Sequence, residues 1–128
     1  MPAHITALYT AVSAIVVIAL AINVTVHRAR LKVQVGDGDN PQMLRMIRVH
    51  GNAAEYLPIG LLLMLIYEIN GGSPVFLHAA GVALIVGRFL HVWGMWRTAD
   101  PTFGRISGPS LTWVTIVVLA ILNVLRVA

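Results

Sequence analysis

Arg45, Arg48, Asn52 and Glu55 recur at helical spacing. At about 100° per residue they fall within an arc of about 80° and share one helix face. Two guanidinium groups, an amide and a carboxylate on one face suit a ligand bearing charges of both signs. Guanidinium takes a carboxylate or phosphate in bidentate fashion, and a carboxylate takes an ammonium. Tyr56 and Pro58 follow, and the chain then runs through apolar residues to Tyr67. The face is a polar seam entering a membrane segment, where a charged side chain costs about 2.5–3.5 kcal/mol and needs a partner or a water-lined cavity. Arg88, His91 and Met95 fall within about 60° on a second helical stretch, and Arg105 and Ser107 stand in a polar segment beyond it. A purely structural account is available: Glu55 pairs with Arg48 or Arg88, Asn52 ties helices together, and Arg45 snorkels. His91 suits a general base, a ligand contact or a helix-packing hydrogen bond equally well. The arginines outnumber Glu55, the carboxylate read in the seam, and surplus positive charge in a pocket invites an anionic ligand.

The surrounding chain must carry these residues across a bilayer. It has 128 residues, 58% apolar and 11% charged, against about 25% charged in a soluble domain. One domain, residues 1–128, is expected at this length. The net charge of +4 resides at helix ends, not in a solvated, aromatic-interleaved patch, which argues against nucleic acid as a partner. The chain has no cysteine, so any thiol chemistry must be brought by a ligand. No metal site is expected: His50 and His91 lack a ligand-spacing motif. His78 and His91 point about 140° apart on one helix and cannot share a haem.

Four spans are predicted, an all-α membrane bundle over about 5–26, 41–70, 74–96 and 109–126, each long enough for a hydrocarbon core about 30 Å thick. The first is read as a retained span, not a signal peptide. His27, Arg28, Arg30 and Lys32 follow it and mark a membrane border. In Gly36-Asp37-Gly38-Asp39-Asn40-Pro41 the turn formers end with a residue able to cap the next helix. The run lacks the later glutamate of a calcium loop. Pro58 removes one backbone N–H, so a bend is expected beyond Glu55, widening a cavity beside the seam. Asn70-Gly71-Gly72-Ser73-Pro74 closes a short turn. Ala80, Gly87 and Gly94 line a flank of the third span that permits close helix approach; Trp93, Trp96 and Arg97 look like interface anchors. Pro101, Gly104 and Gly108 break the segment after it. Basic residues concentrate in the first and third connections, which the positive-inside rule places in the cytoplasm, with both termini outside.

The pattern Arg48-x-x-x-Asn52-x-x-Glu55-Tyr56-x-Pro58, after an arginine-bearing end of span one and before Arg88 in span three, resembles the MAPEG family, the membrane-associated proteins in eicosanoid and glutathione metabolism. The run 36–40 together with Ile47-Arg48-Val49-His50-Gly51-Asn52 looks most like its uncharacterised bacterial branch, which implies an inner membrane location. The resemblance covers essentially the whole chain. It implies a left-handed bundle of four helices assembled as a homotrimer, with glutathione held between subunits near the cytoplasmic face. It also implies that Arg48, Asn52, Glu55 and Tyr56 hold the peptide, with help from Arg28 or Arg30; Arg88 and His91 line the pocket, and Arg105 lies near the thiol. Glutathione, with two carboxylates and one ammonium, matches several arginines and one glutamate.

The chemistry so implied is a transferase or peroxidase reaction on a lipophilic substrate arriving from the bilayer. A guanidinium near the sulfur raises the thiolate fraction of a group whose free pKa is about 8.5. The sequence departs from familiar members at Gly51, where some eicosanoid synthases carry a second glutathione-holding arginine, and at His91 and Met95, where others have tyrosine or other pocket residues. Two other classes stand beside this one. A non-catalytic protein could keep the fold with a lipid or anion site; a four-span exporter needs a proton-coupling carboxylate in span one, which has none.

Overall fold

A computed structural model describes residues 2–97 and 102–127. They form four α-helices: α1 (His4–Leu31), α2 (Pro41–Ile69), α3 (Pro74–Arg97) and α4 (Phe103–Val127). Each is long and apolar enough to cross a membrane. The helices run up and down, so the N-terminus of α1, the α2–α3 turn and the C-terminus of α4 share one end. The last turn of α1 with Arg28 and Arg30, the connection that starts at Lys32, and the first turn of α4 with Arg105 share the other.

The turn chemistry explains the first connection. Lys32 closes α1 in the left-handed conformation, with its N–H returned to the Arg28 carbonyl. Gly36, Gly38 and Asp39 also take positive φ. Asn40 then caps α2, its side chain accepting from the backbone N–H of Gln42 at 2.9 Å and of Met43 at 3.0 Å, and Pro41 opens the helix where no N–H is needed. The short α2–α3 turn is clamped from α4: Arg126 donates to the carbonyls of Asn70, at 3.1 Å, and Gly71, with its guanidinium 5.8 Å from the centre of the Tyr67 ring.

Helices α2 and α3 occupy the middle of the bundle, with α1 and α4 at opposite corners; among the described residues α1 does not pack on α4. Leu57, Met64, Leu77, Leu84 and Leu119 are each at most 1% exposed and, with Leu20 of α1, tie the four helices into one core. Ile15, Ile18, Phe89, Val117 and Val124 point outward, the apolar surface a bilayer requires.

Two boundaries differ from the sequence expectation. The first helix continues to Leu31 and carries Arg28 and Arg30 on its last turn, because charged residues end the apolar stretch without breaking the helix. The last helix starts at Phe103, not 109, and Pro109 lies inside it. Helix α2 continues through Pro58. That proline lines an apolar groove of about 490 Å³ against α1, with Thr6, Ser13, Leu57 and Leu61. The room beside Pro58 therefore opens against α1, about 60° around α2 from Glu55 and about 120° from Asn52. Pro101 and the side chain of Arg97 lie outside the described residues.

Candidate functional site

The site is organised by Arg88, 1% exposed in the middle of α3. Its Nη1 donates to Asn52 Oδ1 of α2, and its Nη2 donates to Thr112 Oγ1 of α4 at 2.5 Å. Thr112 passes the bond on to the Gly108 carbonyl at 3.2 Å. One guanidinium thus joins three helices. Each buried polar group left without its partner in such a network costs about 1–3 kcal/mol, and more where the group left behind is charged.

Glycines bring α3 and α4 into backbone contact around this arginine. A Cβ on Gly87 would lie 2.8 Å from Thr112 Oγ1 and 2.9 Å from the Gly108 carbonyl, and one on Gly94 would lie 2.2 Å from the Arg105 nitrogen. The close-approach flank expected from Gly87 and Gly94 is real; the matching glycines, Gly104 and Gly108, come from a segment expected to be a loop. Thr102 fixes where α4 begins. Its Oγ1 accepts from Arg105 N–H at 3.3 Å and donates to the Gly94 carbonyl at 3.2 Å. Arg105 is therefore held on a helical first turn, facing α3.

His91, one turn beyond Arg88, is 7% exposed and hydrogen-bonds the backbone of Arg105. Pro109 explains why that backbone carbonyl is available: it stands four residues on and has no N–H to donate. Among the described residues Nδ1 of His91 has no partner, so the other ring nitrogen, Nε2, makes the bond.

These contacts leave a cavity of about 190 Å³ lined by Arg48, Asn52, His91, Met95 and Arg105. Arg48 is an exposed residue on α2, so the cavity brings cationic side chains from α2 and α4 to one imidazole. Five residues singled out in the sequence, on three helices, meet here. Others do not reach it within one chain. Arg45 is half-buried. Glu55 is exposed and lies back over Gly51, its Oε1 3.8 Å from where a Gly51 Cβ would stand. Tyr56 packs edge-on to Trp113 of α4 at 6.0 Å. Arg28 donates to the Gly36 carbonyl at 2.7 Å and so secures its own loop, while Arg30 is exposed. Ser107 returns its hydroxyl to the Phe103 carbonyl at 2.7 Å.

Sequence reasoning missed Glu68 altogether. It is 8% exposed, and its carboxylate accepts from Ile5 N–H at 2.9 Å and Thr6 N–H at 2.7 Å, capping α1 from the far end of α2. No side chain at Ala3 does so. The only local signal was negative: the first turn of α1 contains no residue that caps it. Thr112 was also missed, since a threonine in an apolar span reads as bland until its arginine is placed beside it.

Four long apolar helices, a buried arginine joining three of them and a cationic cavity toward one end define an all-α integral membrane protein. The chain belongs to the MAPEG family, whose profile matches residues 6–125. It is 34% identical over 119 residues to the inner membrane protein YecN of Escherichia coli, a match covering 93% of this chain and 89% of that protein. It is 31% identical over 123 residues to an uncharacterised protein of Synechocystis, covering 93% and 87%.

Proposed function

We propose that this protein is a glutathione-dependent transferase or peroxidase of the bacterial inner membrane, acting on lipophilic electrophiles. The observation that carries the reading is the cavity in which Arg48 of α2 and Arg105 of α4 converge on His91 of α3. Its donor-rich wall fits a ligand with two carboxylates. The volume, about 190 Å³, is below the about 300–1,000 Å³ usual for ligand clefts, so one subunit encloses part of a tripeptide. Arg48 and Glu55 are exposed beside it. A homotrimer in which the neighbouring subunit closes the site accounts for both facts, with Glu55 and Tyr56 as the wall offered across the interface. The inner membrane assignment rests on YecN. The basic end, with Arg28, Arg30, Lys32 and Arg105, is the cytoplasmic one by the positive-inside rule, and both termini lie outside.

Glutathione, when bound, supplies a thiol nucleophile. Arg48 and Asn52 orient the peptide on α2, and Arg105, fixed by Thr102 at the start of α4, sets positive charge where the sulfur lies. Arg88 acts through Asn52, holding its amide in place. The lipophilic substrate enters laterally from the bilayer.

One observation favours a second reading, a non-catalytic protein with an anion or lipid site: Asn52 and Arg88 are bonded to each other, so two residues assigned to the ligand already hold helices together. Calorimetric titration of detergent-purified protein with glutathione, followed by assays with a reactive aryl halide and a lipid hydroperoxide, separates the two. Catalysis requires millimolar or tighter binding and turnover that Arg105→Ala lowers more than affinity. Arg48→Ala or Glu55→Gln weakens binding instead. Absence of binding at millimolar glutathione refutes the enzyme.

A further inference from the structure

Both backbone polar groups of Arg105 are held by side chains that tie them to α3. Its N–H donates to Thr102 Oγ1 at 3.3 Å, and the Thr102 hydroxyl donates in turn to the Gly94 carbonyl at 3.2 Å. The Arg105 carbonyl would ordinarily accept from the residue four positions on, but that residue is Pro109, which has no N–H. His91 Nε2 makes the bond instead. Arg105 is thus secured from two points, Gly94 and His91, about one turn apart on α3. The helices touch backbone to backbone at the same level: a Cβ on Gly108 would lie 2.6 Å from the His91 nitrogen and 2.9 Å from its Cα. The imidazole suits holding and not proton transfer. Its Nδ1 is buried, and the guanidinium groups of Arg48, Arg88 and Arg105 stand near the ring, where like charge is repelled. What it offers α4 is one N–H.

We infer that His91 is the positioning residue for Arg105: by donating to the carbonyl that Pro109 vacates, it fixes the rotation of the first turn of α4 and with it the direction in which the Arg105 guanidinium enters the cavity. The chemical consequence rests on the glutathione reading above. Arg105 sets positive charge at the ligand sulfur, and a displacement of about 1 Å lowers such a positioned reaction by about 10²-fold. Arg48 and Asn52, which orient the peptide from α2, stay in place when His91 is changed, so affinity and turnover respond separately.

The test uses the full chain in detergent. In His91→Ala the ultraviolet thiolate band of bound glutathione should titrate closer to the free thiol, near pH 8.5. Turnover should fall about 10²-fold, with affinity for glutathione changed far less. His91→Gln keeps an amide N–H at similar reach and should recover both band and turnover. Combining His91→Ala with Pro109→Ala returns a donor to the Arg105 carbonyl from within α4 but no tie to α3, so the chain should regain stability without regaining the band. A wild-type band and turnover in His91→Ala, no rescue by His91→Gln, or a band restored in the double variant overturns the role of His91 and leaves the glutathione reading intact. A wild type that binds no glutathione overturns that reading alone, and the placement of Arg105 is then read without ligand. The ¹⁵N order parameter of its side-chain Nε should be lower in His91→Ala than in the wild type and His91→Gln; equal values in all three overturn the role.

Discussion

Gly94→Ala tests the link between helix packing and chemistry most directly. The added Cβ would stand 2.2 Å from the Arg105 nitrogen and 2.6 Å from the Gly104 carbonyl carbon, where ordinary contact begins at 3.4 Å. Both atoms are backbone and cannot rotate aside, so the first turn of α4 must retreat by about 1 Å or α3 must bend. Overpacking of this kind costs about 1–3 kcal/mol. It also moves Arg105 away from the cavity, and a displacement of about 1 Å lowers a positioned reaction by about 10²-fold. Gly51→Ala is the matched control. Its Cβ meets nothing closer than Glu55 Oε1 at 3.8 Å, so removing a helical glycine should stabilise by about 0.5–1 kcal/mol. Unfolding in mixed micelles, followed by tryptophan fluorescence, reads the stability term; glutathione-dependent turnover reads the displacement. Equal stability and turnover in Gly94→Ala and Gly51→Ala would refute the proposition that backbone contact between α3 and α4 positions Arg105.

Three further outcomes follow from the hydrogen-bond network. Arg88→Leu should destabilise by about 1–3 kcal/mol for each buried polar group it leaves without a partner, and adding Asn52→Leu should cost less than the sum of the single changes, with a coupling of about 0.5–3 kcal/mol; strict additivity in the same unfolding assay contradicts the shared bond. Glu68→Ala should cost about 1–2 kcal/mol by analogy with loss of a helix cap and speed hydrogen exchange at the amides of Ile5 and Thr6. Unchanged exchange there removes the carboxylate from its capping role. Asn40→Ala should cost about 1 kcal/mol and accelerate exchange at Gln42 and Met43, while Asn40→Asp, which keeps the acceptor, should leave both protected.

The element count, the antiparallel order and the polar seam were legible because apolar length and helical spacing are local properties. The turn at Gly36–Pro41 was legible for the same reason: Asn40 and Pro41 signal a helix start within three residues. The start of α4 was not. Gly104 and Gly108 look like loop residues by propensity, and Pro109 looks like a first-turn residue. Yet Gly94 and Gly87 of α3 need glycine opposite them, and that tertiary contact outweighs about 1 kcal/mol of helix cost per glycine. Arg105 was identified from the family pattern, but its place on a rigid helix depends on Thr102 reaching across to Gly94. Pro58 shows the converse error. Helix phase places the groove beside it against α1, about 120° around α2 from Asn52. Glu68 was hidden because its partners, Ile5 and Thr6, are more than 60 residues away.

The carboxylate of Glu68 also bears on how the protein enters the membrane. Chain synthesis delivers α1 long before the end of α2, so the amide protons of Ile5 and Thr6 have no acceptor from the rest of the bundle when the first segment inserts. They remain with water or headgroups until α2 has crossed in the opposite direction and brought Glu68 back to the same surface. The bond therefore forms only once α2 has completed its crossing, and until then the first turn of α1 keeps these amides on water or headgroups.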